Sequence, residues 1–232
     1  AGHRGMVGSA CWRALEQAGY SNLTGKSSKS LDLKNQQDVY DYIGNEQPNV
    51  IIDAAAKVGG ILANDNFPYE FLMENMQIQN NLISSAHELN IQKFIFASSS
   101  SVYGHRSKDK AKETDTVTRA ESVYGATKVA GEVLCHAFYK SKGLKSAIIR
   151  IFGPIYGPLQ RPYGMLHQRA INYTHNNRTL QIYGRDGLTT AKDATYIDDE
   201  IQGIIKVLNS NFDYEIYNIG TANPLPIQYW LD

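Results

Sequence analysis

The chain opens AGHRGMVGSA (residues 1–10), with glycines at positions 2, 5 and 8 just ahead of a stretch whose patterning is helical to about Ala18. Glycines at this spacing let the backbone come close to a diphosphate and leave the N–H groups of a helix N-terminus free to bind it. Such a turn joins a buried strand to a helix, so the fold depends on whether the rest of the chain alternates strands with helices. It does. NVIIDAAA (49–56), KFIFASSS (93–100) and KSAIIRIF (145–152) are compact apolar runs of the sort buried in a parallel sheet. Between them Pro68–Leu89 and Tyr124–Ser141 read as long helices, and a short β stretch is expected at Asn22–Thr24. This grammar predicts an α/β fold, a Rossmann-type doubly wound parallel sheet over residues 1–152. Past Phe152, GPIYGPLQRPYG (153–164) reads as loop, followed by shorter elements such as LQIYG (180–184) and EIYNIG (215–220). A smaller substrate-binding lobe, partly interleaved with the sheet, is therefore expected over 153–232.

The 232 residues are 42% hydrophobic and 20% charged, enough for one large domain or for a domain and a smaller lobe. Their 23 basic and 23 acidic residues cancel, which argues against nucleic acid or an anionic membrane surface as partner. A small molecule is the expected ligand. No apolar run reaches the ~20 residues needed to span a bilayer, and no signal peptide is visible. Cys11 and Cys135 fit no metal-ligand spacing, so no metal is expected; as buried free thiols they point to a reducing, cytoplasmic setting.

The chemistry gathers in four places. At the end of the second strand, NLTGKSSKS (22–30) lacks the acidic residue that binds a ribose 2′-hydroxyl; Lys26 and Lys29 stand there instead, and Arg4 sits inside the glycine turn. Cations in that region suit a 2′-phosphate, which favours NADP with NAD as the alternative. SSSSVYG (98–104) ends a buried strand in a serine cluster. SVYGATK (122–128) holds Tyr124 and Lys128 four apart, hence on one helix face. A lysine ammonium beside a phenol stabilises the phenolate, and a nearby serine hydroxyl can share its proton with a substrate oxygen.

GHRGMVGS, AAAKVGGI, SSSSVYG and YGATK, in that order, resemble the extended short-chain dehydrogenase/reductases that act on nucleotide sugars, and the likeness covers essentially the whole chain. It implies hydride exchange between nicotinamide and a sugar carbon, with Tyr124 as acid/base and Lys128 holding the nicotinamide ribose and depressing the tyrosine pKa. Ser99 is the implied catalytic serine and Ser101 its neighbouring candidate. The cofactor would lie against Gly2, Arg4, Gly5, Met6, Val7, Gly8, Lys26, Asp32, Ala55 and Ala56 as well as Tyr124 and Lys128. Up to about Phe96 the chain is similar to the GDP-L-fucose synthases, which epimerise and reduce GDP-4-keto-6-deoxymannose with NADPH. From Ala97 onward, YGPLQRPYG and KDATYIDD look more like the UDP-sugar 4-epimerases, whose tightly held NAD is regenerated each cycle.

Departures from those patterns matter. A fucose synthase has a cysteine for epimerisation where this chain has Ser101, and its partner histidine is expected around Met165–Ala170, where His167 stands. Serine is a far weaker acid than cysteine. For the substrate diphosphate the family uses an arginine ahead of the aspartate; here Lys192 keeps the charge without the bidentate fork, and Arg161 and Lys57 are the other candidates. The resemblance also implies a homodimer formed through the helix bearing Tyr124. A non-catalytic nucleotide-binding or scaffold protein is the alternative from another class, and the intact Ser99, Tyr124 and Lys128 argue against it. Finally, relatives have a strand ahead of the first glycine, where this sequence has only Ala1, and they continue beyond IQYWLD. The first strand and the C-terminal end are accordingly expected to be missing, with strands 49–56 and 93–98 bordering an empty slot.

Overall fold

The structure, a computed structural model, describes residues 1–104, 110–115, 117, 122–160, 166–182 and 186–231. Its core is a four-stranded parallel sheet of β1 (Val50–Asp53), β2 (Lys93–Ser99), β3 (Ser146–Ile151) and β7 (Tyr214–Ile219), in the order β1-β2-β3-β7. Register runs from Val50↔Lys93 to Asp53↔Phe96 and from Phe94↔Ser146 to Ser99↔Ile151, so Ser99 ends the longest strand beside two covered neighbours. EIYNIG, placed after residue 152 by the sequence reading, is part of this sheet: Ser146↔Tyr214 to Ile151↔Ile219 pair in parallel. Two short strand pairs lie outside it, β4 (Ile155–Tyr156) with β6 (Thr195–Tyr196) and β5 (Ala191–Lys192) with β8 (Leu225–Pro226). LQIYG forms no strand over its described residues 180–182.

Helices cover both faces, as alternation along the strands requires. Phe94, Phe96 and Ile148 point to one side, where Val39, Ile43, Leu82, Ile83 and Cys135 bury them under α2 (Gln36–Glu46), α4 (Pro68–Glu88) and α5 (Val123–Lys142). Ile95, Ala147 and Ile149 point to the other, against Ala10 and Cys11 of α1 (Met6–Gln17) and Ile197, Ile201 and Ile204 of α7 (Ile197–Asn209). The parallel α/β sheet read from the sequence is thus observed. Two further helices, α3 (Ile61–Asn66) and α6 (Leu166–His175), complete the elements that position the site. No helix among the described residues is long and apolar enough to cross a membrane.

Two expectations change. Asn22–Thr24 is not a strand: the segment joins no ladder, and the space beside it is a cavity of about 180 Å³ lined by Leu15, Leu23, Lys26, Tyr42, Val50 and Ile52 among others. β1 and β2 pair directly, so no slot lies between these two strands. Ala1 stands at the mouth of this cavity, where its amino group donates to Ile52 O at 2.6 Å and its carbonyl accepts from Ala54 N at 3.2 Å.

One buried acid gives the fold a pH dependence. Glu200, in the first turn of α7, is 0% exposed. Burial, then the Asp193 charge, pushes its carboxyl up to about 8, with the Thr195 hydroxyl pulling the other way and Asp199 adding to the rise. Its folded pKa lies above the unfolded value, so the native state binds this proton more tightly. The resulting stability is full below the unfolded pKa and is lost as pH rises through about 8. Glu200→Gln, neutral at every pH, should therefore raise the melting temperature over the parent at about pH 9 and lose that advantage near pH 5, a difference on the order of 3–5 kcal/mol. A gap independent of pH would show that the fold leaves this carboxyl's pKa unshifted.

Candidate active site

The glycine turn is shaped by backbone approach. Gly2 takes φ +74, and a Cβ there would meet Ala54 O at 2.6 Å and Ala55 N at 2.8 Å. A Cβ on buried Gly8 would run into the Gly2 carbonyl, so helix α1 can sit this close to the turn only with glycine at both places. Gly5 is the N-cap in extended conformation with no side-chain cap, and no acidic residue occupies the first turn. Its own N–H is taken by Gly2 O at 2.9 Å, while Met6 and Val7 open the helix with N–H groups directed past the exposed Gly5. An uncapped helix N-terminus carries a partial positive charge and suits an anion. The turn therefore fits a dinucleotide diphosphate, and Ala55 and Ala56 follow β1 at its edge.

Around it, His3 packs on Gly25, whose Cβ would meet His3 Nδ1 at 2.8 Å, and stacks near Trp12 with ring centres 5.4 Å apart. Arg4 in the turn and Lys26 beside Gly25 are both exposed. Lys26 lies 5.9 Å over the Tyr42 ring. Asp32 is turned to its own loop, accepting from Lys34 N at 3.0 Å.

At the C-terminal end of β2, the Ser99 hydroxyl caps the 3-10 turn Ser100–Tyr103, accepting from Ser101 N at 3.2 Å and donating to Ser101 Oγ at 3.1 Å. Helix α5 starts opposite. Ser122 caps it through Gly125 N at 3.0 Å, and Tyr124 is its second residue, with its phenol near the Ser99 hydroxyl. Lys128, one turn on and 4% exposed, donates to Ala97 O at 2.7 Å and lies 5.7 Å from the Tyr124 ring centre. Ser99, Ser101, Tyr124 and Lys128 thus form one cluster.

The charge states correct one expectation. The net direction differs from the expectation: the phenol is raised rather than depressed, while the nearby Lys128 ammonium donates to the Ala97 carbonyl. Burial pushes Tyr124 up to about 12, and the Ser99 hydroxyl only partly offsets it. Lys128 itself moves down: burial lowers it, against the charges of Asp53 and Glu132.

Other sequence candidates fall elsewhere. His167 stacks on Tyr156 at 5.4 Å and meets Trp230 edge-on at 5.2 Å; none of its described contacts joins it to the serine–tyrosine cluster. Burial lowers its pKa, as its apolar ring neighbours would require. Lys57 is held by Glu74 at 2.5 Å, and Lys192 is exposed on β5. Arg161 lies outside the described residues. The sequence reading missed two asparagines that fix the walls. Asn64 accepts from Tyr124 N at 3.3 Å and donates to Gly59 O and Gly60 O, tying the loop after β1 to the start of α5. Asn75 brackets Lys57, accepting from its N–H at 2.7 Å and donating to its carbonyl at 3.1 Å. Their one sequence signal is polarity at helix positions that turn inward.

Known proteins resemble this chain in sequence and in fold. GDP-L-fucose synthase 1 of Arabidopsis thaliana is 31% identical over 98% of this chain and 73% of its own length. GDP-L-fucose synthase of Escherichia coli is 37% identical over 62% of this chain, and the match spans 46% of that protein. Among solved structures, the UDP-glucose 4-epimerase of Thermus thermophilus, in complex with NAD, superposes with TM-score 0.87 at 23% identity, over 99% of this chain and 79% of that one. A GDP-D-glycero-L-gluco-heptose synthase of Campylobacter jejuni, in the presence of NADPH, gives 0.85 at 22% identity, over 100% of this chain and 82% of that one. These two show the fold. The description that matches residues 1–220 is that of the NAD dependent epimerase/dehydratase family, and to that family of nucleotide-sugar enzymes the chain belongs.

Proposed function

We propose that the protein is an NADP-dependent reductase and epimerase of a nucleotide-linked keto sugar, of the GDP-4-keto-6-deoxymannose type. The observation that carries this reading is the single cluster of Ser99, Tyr124 and Lys128 at the end of β2, close to an uncapped helix N-terminus. The likeness of the chain to GDP-L-fucose synthases supports the choice of sugar nucleotide.

In this reading Met6, Val7 and Gly8 present their N–H groups to the cofactor diphosphate, Gly2 and Gly5 leave room for it, and Ala55 and Ala56 line its path. Arg4 and Lys26 face the 2′-phosphate. Nicotinamide, when bound, supplies or takes up hydride. The protein's own part is the proton. Tyr124, with its pKa raised to about 12, is a neutral phenol at pH 7 and so stands ready as the acid that protonates a sugar oxygen. Ser99 donates a hydrogen bond to the same oxygen, and the buried Lys128 ammonium stabilises the charge left on the phenolate.

The epimerising half is weaker. Ser101 is a poor acid, and His167 is engaged with Tyr156 and Trp230. That observation favours a second reading, a UDP-sugar 4-epimerase that regenerates its cofactor. The two differ in stoichiometry. The first consumes one NADPH per keto sugar. The second interconverts UDP-sugars with no net change in nicotinamide absorbance. Turnover of a UDP-sugar without NADPH oxidation by the keto sugar would reverse the ranking.

Tyr124→Phe should leave the melting temperature within a few degrees of the parent and cut turnover by ~10²–10⁴-fold, the usual worth of an acid/base group. Parental activity in that variant would remove the phenol from the chemistry. For the cofactor, titration should show tighter binding of NADPH than NADH, with Arg4→Ala and Lys26→Ala each eroding the preference. Equal affinity of the parent for the two cofactors would count against the 2′-phosphate assignment.

A further inference from the structure

Two buried charges take part in no step described above. Glu132 is 5% exposed and Arg150 is 3% exposed. Arg150 Nε donates to both carboxylate oxygens of Glu132 at 3.1 and 3.2 Å, and its terminal Nη2 donates to Oε2 at 2.7 Å. Ser98, the residue before Ser99, donates to Oε1 at 2.5 Å. The remaining Nη1 of Arg150 donates to the Tyr103 hydroxyl at 2.7 Å, and that hydroxyl donates onward to Asn218 Oδ1 at 2.8 Å.

The placement of these groups is what gives them a role. Tyr124, Lys128 and Glu132 are spaced four apart and share the inward face of α5. Ser98 precedes Ser99 on β2, and Tyr103 closes the 3-10 turn that Ser99 caps. One guanidinium therefore fastens the strand end that presents Ser99, the turn that presents Ser101 and the helix that presents Tyr124 and Lys128.

We propose that Glu132, clamped by Arg150 and Ser98, is a positioning residue that locks the Tyr124–Lys128 face of α5 to the Ser99 end of β2 and supplies a fixed counter-charge to the Lys128 ammonium. Its catalytic consequence rests on the reading of Tyr124 and Lys128 as the acid/base pair. Electrostatics agree with the geometry. The charged or titratable groups facing Lys128 are Asp53 from β1 and Glu132 and Cys135 from α5, and burial is what they oppose. Facing Glu132 are Arg150 from β3, Lys128 and Cys135 from its own helix and Tyr214 from β7, with Tyr103 of the turn on the far side of the Arg150 guanidinium. A bidentate fork plus one hydroxyl satisfies the carboxylate in its charged form, where a lysine could not.

The test uses Glu132→Gln, which keeps the volume and the acceptor for Ser98 but removes the charge. Because a lone buried guanidinium can unfold a protein, Glu132→Gln/Arg150→Met is made beside it. Lys128 is followed by NMR titration of labelled lysine, assigned through Lys128→Met, with no substrate present. Its midpoint should move down by about one pH unit or more in Glu132→Gln, where an attracting charge is gone, and by less in the double variant, which also loses the repelling Arg150 charge. With substrate, kcat should fall ~10–100-fold while the KM for the nucleotide sugar and the dissociation constant for NADPH stay within about twofold, the signature of misplaced reacting groups. A folded variant with an unmoved Lys128 midpoint, or with parental kcat, overturns the proposal. A parent that turns over no nucleotide sugar overturns the functional reading instead, and the substrate-free lysine titration still decides the counter-charge.

Discussion

A buried ammonium tolerates few arrangements, and Lys128 has one: its Nζ donates to Ala97 O at 2.7 Å and lies 4.7 Å from the centre of the Phe96 ring. Leaving that group unsatisfied away from water would cost several kcal/mol. Helix α5 is therefore fixed in height and rotation against β2 at the level of Phe96 and Ala97. The rest of the site follows from that fixed point. Tyr124, one turn earlier, arrives at the end of the strand, where Ser99 is the last residue of the ladder, and the Tyr124 N–H meets Asn64 across the gap. Glu132, one turn later, arrives under Ser98 and Arg150. A helix held at three levels by three different polar partners has little freedom to slide.

The same constraint explains why the sheet ends where it does. Parallel strands are buried on both faces, so their C-terminal ends are where the backbone first becomes free to carry function. Asp53, Ser99 and Ile151 lie at or near those ends in adjacent strands. The glycine turn meets the first of them through the Gly2–Ala54 contact. The glycine turn and the Ser99–Tyr124 cluster thus lie at the same end of adjacent parallel strands.

Much of this is legible in the chain, for reasons that differ by element. β2, α4 and α5 carry long, periodic apolar patterns, which mark them to within a residue or two of Lys93–Ser99, Pro68–Glu88 and Val123–Lys142. Helix α2 escapes the sequence reading, because QQDVYDYIGNE buries only Val39 and Ile43 and shows too little apolar surface for a period to stand out. Helix α7 is hidden by the polar IDDE that opens it, although Ile197, Ile201 and Ile204 keep helical spacing. Asn22–Thr24 has strand-like residues but no neighbour in its ladder, and pairing is a property of two segments rather than one. In the site, Tyr124, Lys128 and Ser99 are read from spacing and from the resemblance it supports. Glu132, Arg150, Asn64 and Asn75 are not, since a buried polar side chain declares itself only through the partner that satisfies it. His167 misleads in the opposite way: its residue type invites a chemical role, and its surroundings give it aromatic neighbours.

The directions of the two shifted groups bear on what the site holds ready. Burial raises the Tyr124 phenol and lowers the Lys128 ammonium, so each is pushed toward its neutral form, and two groups left to burial alone would give neutral phenol beside neutral amine. Neutral amine is useless for stabilising a phenolate. The charges of Asp53 and Glu132 act on the lysine and oppose that outcome, and the phenol has only the Ser99 hydroxyl to oppose its own. The balance is asymmetric: attracting charges act on the lysine, while the phenol stays protonated. A site in that state can give a proton to a developing alkoxide and stabilise the phenolate it becomes. A carboxylate in contact with Tyr124 itself would have raised the phenol further and weakened it as an acid. Placing the negative charges behind the lysine, on β1 and one turn along α5, avoids this.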